Sequence, residues 1–482
     1  MNYDAMIHWL GLATLAFPAM LLAMMGIASI ASARVSESVV ARFTQTAVAS
    51  CLVCAVGVLL LMILSGKQFV SIDAGDWVAI EQEHFHFHIR FIFDRLSMPF
   101  LLLSLVLCGI VASFTQRYLH REPGFFRFFL LYSIFLNGMV LSAVAGTIET
   151  LFFGWEMVGL SSALLVAYFQ EREIPARNGQ RVWSVYRLAD AAFLIAALSM
   201  HHLTGQGDFA AFVGNQPWPG GRTELSPENA LAVGLLLLLA ASGKSALVPF
   251  SGWLARAMEG PTPSTAVFYG SLSVHLGAYL LLRVSPILEA SWTLRIIIIA
   301  VGAISSISGS LISKVQSDVK TALAYASLSQ VGMIVVEIGL GFYYLALIHI
   351  IGHACLRTMQ LLRAPTLMSD YHAIENAIGS RVVLGTKPPG RILPESVKRW
   401  IYRFGFERGF MDAALDRFII HPFLVAFEWA DLQERRWTDW LSRAASRESD
   451  RTDLHPEQVD APKLGSAPYP IASQDSEQRG IA

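Results

Sequence analysis

The sequence has 482 residues, 54% of them hydrophobic and only 15% charged, with a formal net charge of −1 at pH 7. Soluble domains carry about 25% charged residues, so this composition excludes a string of water-soluble domains, and the charge balance excludes a nucleic-acid-binding protein. Many apolar runs are about 20 residues long, enough to cross roughly 30 Å of hydrocarbon. The chain therefore reads as an all-α integral membrane protein with the lipid bilayer as its surroundings.

Eleven spans are predicted, near 6–30, 44–65, 96–115, 127–146, 149–169, 182–200, 229–250, 262–282, 292–313, 319–340 and 343–363. The first apolar run exceeds the 7–15 residues of a signal-peptide h-region and no basic residues precede it, so it is expected to be a transmembrane helix. Cys51 and Cys54 form a C-x-x-C inside the second span. Together with Cys108 and Cys355 they read as free buried thiols. Between spans two and three, residues 83–93 alternate with period two, which predicts an exposed strand or hairpin. Its His84, His86 and His88 row is read as one solvated face rather than a zinc site. Arg34, Arg42, Arg117, Arg121, Arg127, Arg172, Arg177 and Arg181 cluster in or beside loops one, three and five. The positive-inside rule puts those loops in the cytoplasm, the N-terminus outside and the tail inside, across a cell inner membrane.

The domain plan that follows is a transmembrane domain over 1–365 and a helical segment over 366–442. In the latter, Phe410, Ala414, Phe418, Ile419, Phe423, Leu424 and Phe427 recur at helical spacing, with Pro422 expected to bend or end the helix. Residues 443–482 are a polar tail expected to be disordered.

Charges inside the spans are costly, by at least about 2.5–3.5 kcal/mol on insertion scales, and so point to function. Glu156 lies mid-helix, and Arg187 and Asp190 share a face three residues apart. Lys244 sits between Gly243 and Pro249, which suggests a broken helix of the kind that frees backbone groups beside a charge. Its Gly-Lys-Ser is not a phosphate loop, because Leu238 stands where that motif needs glycine. His349, His353 and Arg357, spaced four apart, form one polar stripe. No metal site is read there, since no glutamate follows the first histidine as in H-E-x-x-H. Glu337 and His275 are further titratable groups, and Ser327, Ser329 and Gln330 are expected to wet that region. The bland alternative is an anchor whose buried charges are ion pairs only.

Several motifs carry a family resemblance: Gly154-Trp155-Glu156-x-Val158-Gly159-Leu160, Gly243-Lys244-Ser245-Ala246, and Trp253-Leu254-Ala255 through Gly260-Pro261-Thr262-Pro263. To these are added Asp318-x-Lys320-x-x-Leu323-Ala324-Tyr325 and His349-x-x-x-His353-Ala354. Over most of residues 1–365 the chain resembles the antiporter-like subunits of respiratory complex I (subunit L) and the large subunit of Mrp antiporters. The resemblance implies that Glu156 and Lys244 are the paired groups of a half-channel for protons or Na⁺. Arg187 and Asp190 would modulate them, and Lys320, His349 and His353 would continue the axis, with Tyr269, His275, Asp318 and Glu337 as secondary candidates. The family usually has histidine where this chain has Tyr269, and lysine where it has Arg357, which keeps its proton at ordinary pH. No span is read after about residue 363, where the family continues. That shortened plan resembles the DabB type of membrane subunit. It implies a subunit of an energy-coupled inorganic carbon transporter working with a large cytoplasmic, zinc-containing DabA-like partner. This chain would carry no cofactor and be no enzyme itself. The alternative is a proton-translocating subunit of an NADH-quinone oxidoreductase-like complex or a multi-subunit cation/proton antiporter.

Overall fold

The computed structural model describes residues 3–80, 85–214, 216–378 and 394–442, with side chains placed outside 78–87 and 365–393. The tail expected to be disordered and the His84 and His86 side chains lie outside the described residues. Among the described residues, ten helical segments are long and apolar enough to cross a membrane. They are α1 (Tyr3–Ile30), α2 (Glu37–Ser65), α3 (Ser97–Tyr118), α4 (Phe125–Val144), α5 (Ile148–Val166), α6 (Glu173–Thr204), Thr262–Arg283, α13 (Trp292–Ser313), α14 (Val319–Leu340) and the first part of α15 (Tyr343–Ile378). Between α6 and α13 come the short α7 (Phe209–Val213), α8 (Pro227–Lys244), α9 (Gly252–Arg256), α10 (Thr262–Thr265), α11 (Ser273–Arg283) and α12 (Ser285–Ala290). The seventh expected span is therefore not a full crossing helix: α8 stops at Lys244.

The break has a local cause. Ala246 takes a left-handed backbone (φ 55°), and Pro249 cannot donate to a helical ladder. The freed groups are satisfied inside the protein, as buried irregular backbone at membrane depth requires. Leu247 N–H donates to the Ser242 carbonyl at 2.9 Å and the Trp253 indole to the Gly243 carbonyl at 3.1 Å. Val248 N–H donates to Ser305 Oγ on α13 at 3.0 Å. A second irregularity joins α10 to α11, a π-helical stretch over Ala266–Ser271. The Thr262–Arg283 segment is buried throughout its apolar window, whereas α1 and α13 bury only 28% of theirs. It is thus the core of the bundle, around which the others pack.

Strands β1 (Phe69–Ile80) and β2 (Phe85–Asp94) pair antiparallel with bulges near Asp73 and Asp76, the hairpin that the alternation predicts. Arg90, Phe91 and Asp94 tie it to the ends of α4, α6 and α11; this end of the bundle is called the hairpin face below. The basic loops lie at the opposite end, the basic face. Helices α16 (Glu395–Phe406) and α17 (Met411–Leu415) pack there. Asp412 accepts from Arg181 Nη1 and Arg256 Nε, each at 3.0 Å, and Gln316 Nε2 donates to the Gly405 carbonyl at 3.0 Å. The first compact unit accordingly runs to His421, and a second begins at Pro422. Pro422 stands in the first turn of α18 (His421–Ser442), directly after a π-helical stretch over Asp416–Ile420, and does not end the helix. Of the four thiols, Cys51, Cys54 and Cys108 are buried and free, while Cys355 lies on an exposed helix face.

Candidate functional site

The buried charges meet where α5, α6 and the end of α8 touch. Lys244 is 1% exposed. Its ammonium donates to the Trp155 carbonyl at 2.8 Å and lies 4.9 Å and 4.7 Å from the ring centres of Trp155 and Tyr186, within cation–π range. Gly159 makes this seat possible, since a Cβ there would stand 2.8 Å from Lys244 Nζ. No carboxylate lies within 4 Å of that nitrogen among the described residues. The carboxylates are instead one residue removed. Arg187 bonds both Glu156 and, at 2.8 Å, Asp190, and the Trp155 indole donates to Asp190 at 2.6 Å. Trp155 is therefore a bridge, with its carbonyl on the lysine and its ring nitrogen on the aspartate.

Two carboxylates, one guanidinium and one ammonium sum to zero formal charge. Loss of the lysine proton would leave the buried cluster at −1. Glu156 Oε1 has no hydrogen-bond partner among the described residues, so one acceptor position is open. Arg187 stacks on Trp183, 4.0 Å from guanidinium to ring centre, which holds it in place between its two acids.

A second group lies across the central helix. His275 Nδ1 bonds the Ser271 carbonyl, which can only accept, so that nitrogen carries a proton. In the neutral ring Nε2 then accepts, from His353 Nδ1 at 2.9 Å, and His353 Nε2 accepts from Ser327 Oγ at 3.3 Å. The hydrogen-bond logic fixes both tautomers along one directional wire. His349 touches Glu337 at 2.9 Å and Gln330 at 3.1 Å, and its ring centre is 6.4 Å from that of His353. Arg357 is buried, bonds Gln360 at 2.8 Å and, with His349, His353 and Gln330, lines a cavity of about 530 Å³. Tyr186, Tyr269 and Ser273 fill the interval between the two groups; Tyr269 donates to the Ser162 carbonyl at 3.2 Å.

The structure thus brings Glu156, Arg187, Asp190 and Lys244 into one cluster and His275, His349, His353 and Glu337 into another. It sets Lys320 and Asp318 apart. Asp318 caps α14, accepting from Thr321 N–H at 2.7 Å, and Lys320 occupies the first turn at the basic face. Sequence reading missed Trp155 and Tyr186 as contacts of the lysine. Both stand next to a singled-out charge, but aromatic residues in apolar helices carry no signal of their own. The His88 ring nitrogens are held by Asp76 at 2.5 Å and Asp73 at 2.7 Å. Among the described residues there is no group of side chains able to hold a metal ion.

A broken helix presenting a buried lysine to a Glu–Arg–Asp cluster, with a histidine wire across a π-distorted core helix, defines the antiporter-like class of membrane subunit. Comparison with known proteins agrees. A family profile described as NADH:quinone oxidoreductase/Mrp antiporter, TM, matches residues 145–381, and one described as complex I chain 5 N-terminus matches residues 77–129. NADH-ubiquinone oxidoreductase chain 5 of Neurospora crassa is 32% identical over 305 residues, covering 63% of this chain and 41% of that one. The Cryptococcus neoformans chain 5 is 32% identical over 301 residues, covering 62% and 44%. A chain of the Mrp complex from Dietzia sp. DQ12-45-1b superposes with a TM-score of 0.59 at 26% identity, over 78% of this chain and 40% of that one. Over residues 77–129 and 145–381 the chain is similar to the antiporter-like membrane subunits of complex I chain 5 and Mrp type, and it spans less than half the length of the curated relatives it matches.

Proposed function

We propose that this chain is a proton-translocating subunit of a multi-subunit membrane assembly of the complex I and Mrp kind. The observation that carries this reading is Lys244, a buried ammonium at the break of a helix, one residue from a carboxylate pair with an open acceptor. Protons would pass between the Glu156–Arg187–Asp190–Lys244 cluster and the His275–His353 wire, while Arg357, which keeps its proton, biases the field at one end. Positive-inside orientation would put the basic face and the C-terminal helices in the cytoplasm. In reconstituted vesicles, Glu156→Gln and Lys244→Ala are each expected to abolish proton flux while leaving assembly intact. Undiminished flux in both would sink the relay. Flux that follows a sodium gradient instead would keep the path and change the ion.

A finer reading within this function is a subunit of an inorganic carbon transporter, with a zinc-containing, carbonic-anhydrase-like cytoplasmic partner. It is favoured by Arg357 in place of the family lysine and by α16 and α17 closing over the basic face. Purification from native membranes in mild detergent tests it. Recovery of one large soluble zinc protein supports it; recovery of several membrane subunits overturns it and leaves the general reading standing.

A further inference from the structure

The hairpin face carries a second buried acid–base pair outside the relay. Glu149, in the first turn of α5, and His201, in the last turn of α6, face each other at 3.6 Å, each side chain 12% exposed. Glu149 Oε2 has no hydrogen-bond partner among the described residues. Directly above lies the loop Gly205–Asp208, held by Ile148 N–H to the Gly207 carbonyl at 2.9 Å and by Phe209 N–H to the Gly146 carbonyl at 3.0 Å. A Cβ on Gly207 would fall on the Glu149 carboxylate, so only glycine lets the acid reach this close to the loop. On its other side that loop, with Asp76, His88, Arg90 and Asp208, lines an open cavity of about 450 Å³. Asp208 is 8% exposed and its Oδ2 accepts from Arg90 at 2.8 Å, while its Oδ1 is buried without a partner.

The pair also lines up with the relay. Glu149 and Glu156 are seven residues apart on α5, two turns and about 10 Å along the same face. His201 and Asp190 are eleven apart on α6, three turns on one face. Between the two levels stand Phe152 and Phe193, edge to face at 5.3 Å, with Phe193 in turn against Trp155 at 5.1 Å. An aromatic layer thus separates an acid–imidazole pair under an open cavity from the buried cluster below.

We infer that Glu149 and His201 form the port through which the buried relay exchanges protons with the aqueous side at the hairpin face, with Phe152 and Phe193 as the gate between them. A proton passes from the cavity, past Asp208, to the Glu149 carboxylate or His201 imidazole, and reaches Glu156 when the aromatic pair parts. No bond other than the proton's own is made or broken. The inference rests on the relay proposed above.

The test is proton flux into vesicles holding the full chain, read with a trapped pH dye, for wild type, Glu156→Gln, Glu149→Gln and Phe193→Ala. Loss of a proton-transfer group predicts that Glu149→Gln slows flux at least about tenfold, and that Phe193→Ala raises it by thinning the gate. If Glu149→Gln does not fold, as read by gel filtration and melting, His201→Gln takes its place with the same expected loss. Wild-type flux in the port variant alongside a dead Glu156→Gln overturns the port and leaves the relay standing. Absence of any Glu156-dependent flux in the unsubstituted chain overturns the relay and the port with it.

Discussion

Gly159 and Trp155 decide how Lys244 can work. The ammonium is held by one carbonyl and two ring faces, not by a direct ion pair, so no contact locks its proton to a single acid. Gly159→Ala puts a methyl where the ammonium stands; a core with no spare room loses about 1–3 kcal/mol to such overpacking. A lower melting temperature and strongly reduced flux are expected; unchanged values of both would refute the tight seat. Asp94 presents the opposite case, a pair built for stability. It is 2% exposed, meets Arg283 Nη1 at 2.5 Å and accepts from Ser97 N–H at 2.7 Å. Burial pushes its pKa up, but the Arg283 charge and these hydrogen bonds outweigh that and hold the carboxyl below the usual range. With the folded pKa below the unfolded one, its stabilisation is full above the unfolded value and is lost as pH falls through the folded one. Asp94→Asn leaves Arg283 buried without its counter-charge, at a cost of roughly 3–5 kcal/mol. Melting curves between neutral and acid pH should show an acid-sensitive component in the wild type that this variant lacks.

The hairpin buries Ile72, Phe91, Ile92 and Phe93 against the bundle, and charged contacts add to that burial there and at the C-terminal helices. Hydrogen bonding to Asp76, opposed by burial and aided by Asp73, raises the His88 pKa. Its contribution is therefore complete below the ordinary imidazole pKa and disappears as pH rises through the raised value. Hydrogen exchange at the Asp73–Asp76 bulge, corrected for intrinsic rates, should quicken over that window; a flat profile would deny His88 this role. On the basic face, Asp412 gathers Arg181 and Arg256. Asp412→Ala removes charge-assisted hydrogen bonds worth on the order of 2 kcal/mol. Residues beyond 394 should then be cleaved sooner by added protease, with α1–α6 unaffected. The alternation of residues 83–93 announced the hairpin, and the apolar runs announced the crossing helices. The end of α8 was legible in part, because Gly243 and Pro249 bracket Lys244. The pairing of the backbone groups it frees was not, since that depends on Ser305 and Trp253 supplying partners from elsewhere.

At the scale of the whole molecule, the Glu156–Lys244 cluster and the His275–His353 pair lie on either side of the Tyr186–Tyr269 interval, the course of the proposed relay. The hairpin caps one end of the bundle and α16 and α17 cap the other. The positive-inside rule applied to the arginine asymmetry proposes a direction for this arrangement, with the basic face in the cytoplasm. Membrane-impermeant thiol reagents applied to intact cells should label Gln206→Cys at the hairpin face and spare Ser38→Cys in the first loop. The reverse pattern would invert the orientation and place the Glu149 port on the cytoplasmic side.

The sequence by itself determined that the chain is a helical membrane protein, where its crossings fall apart from the seventh, and which charges are costly inside them. Those properties follow from segment length, hydropathy and the penalty for charge in hydrocarbon, all of them local. Only the tertiary structure decided which charges meet. Helical spacing puts Arg187 beside Asp190, yet no spacing rule brings His275 to His353, seats Lys244 on the Trp155 carbonyl, or leaves Lys320 at the helix start. Those contacts depend on how separate helices cross. Crossing is set by glycines, by aromatic packing and by the breaks at Lys244 and Ala266–Ser271, which act only once the whole bundle is assembled.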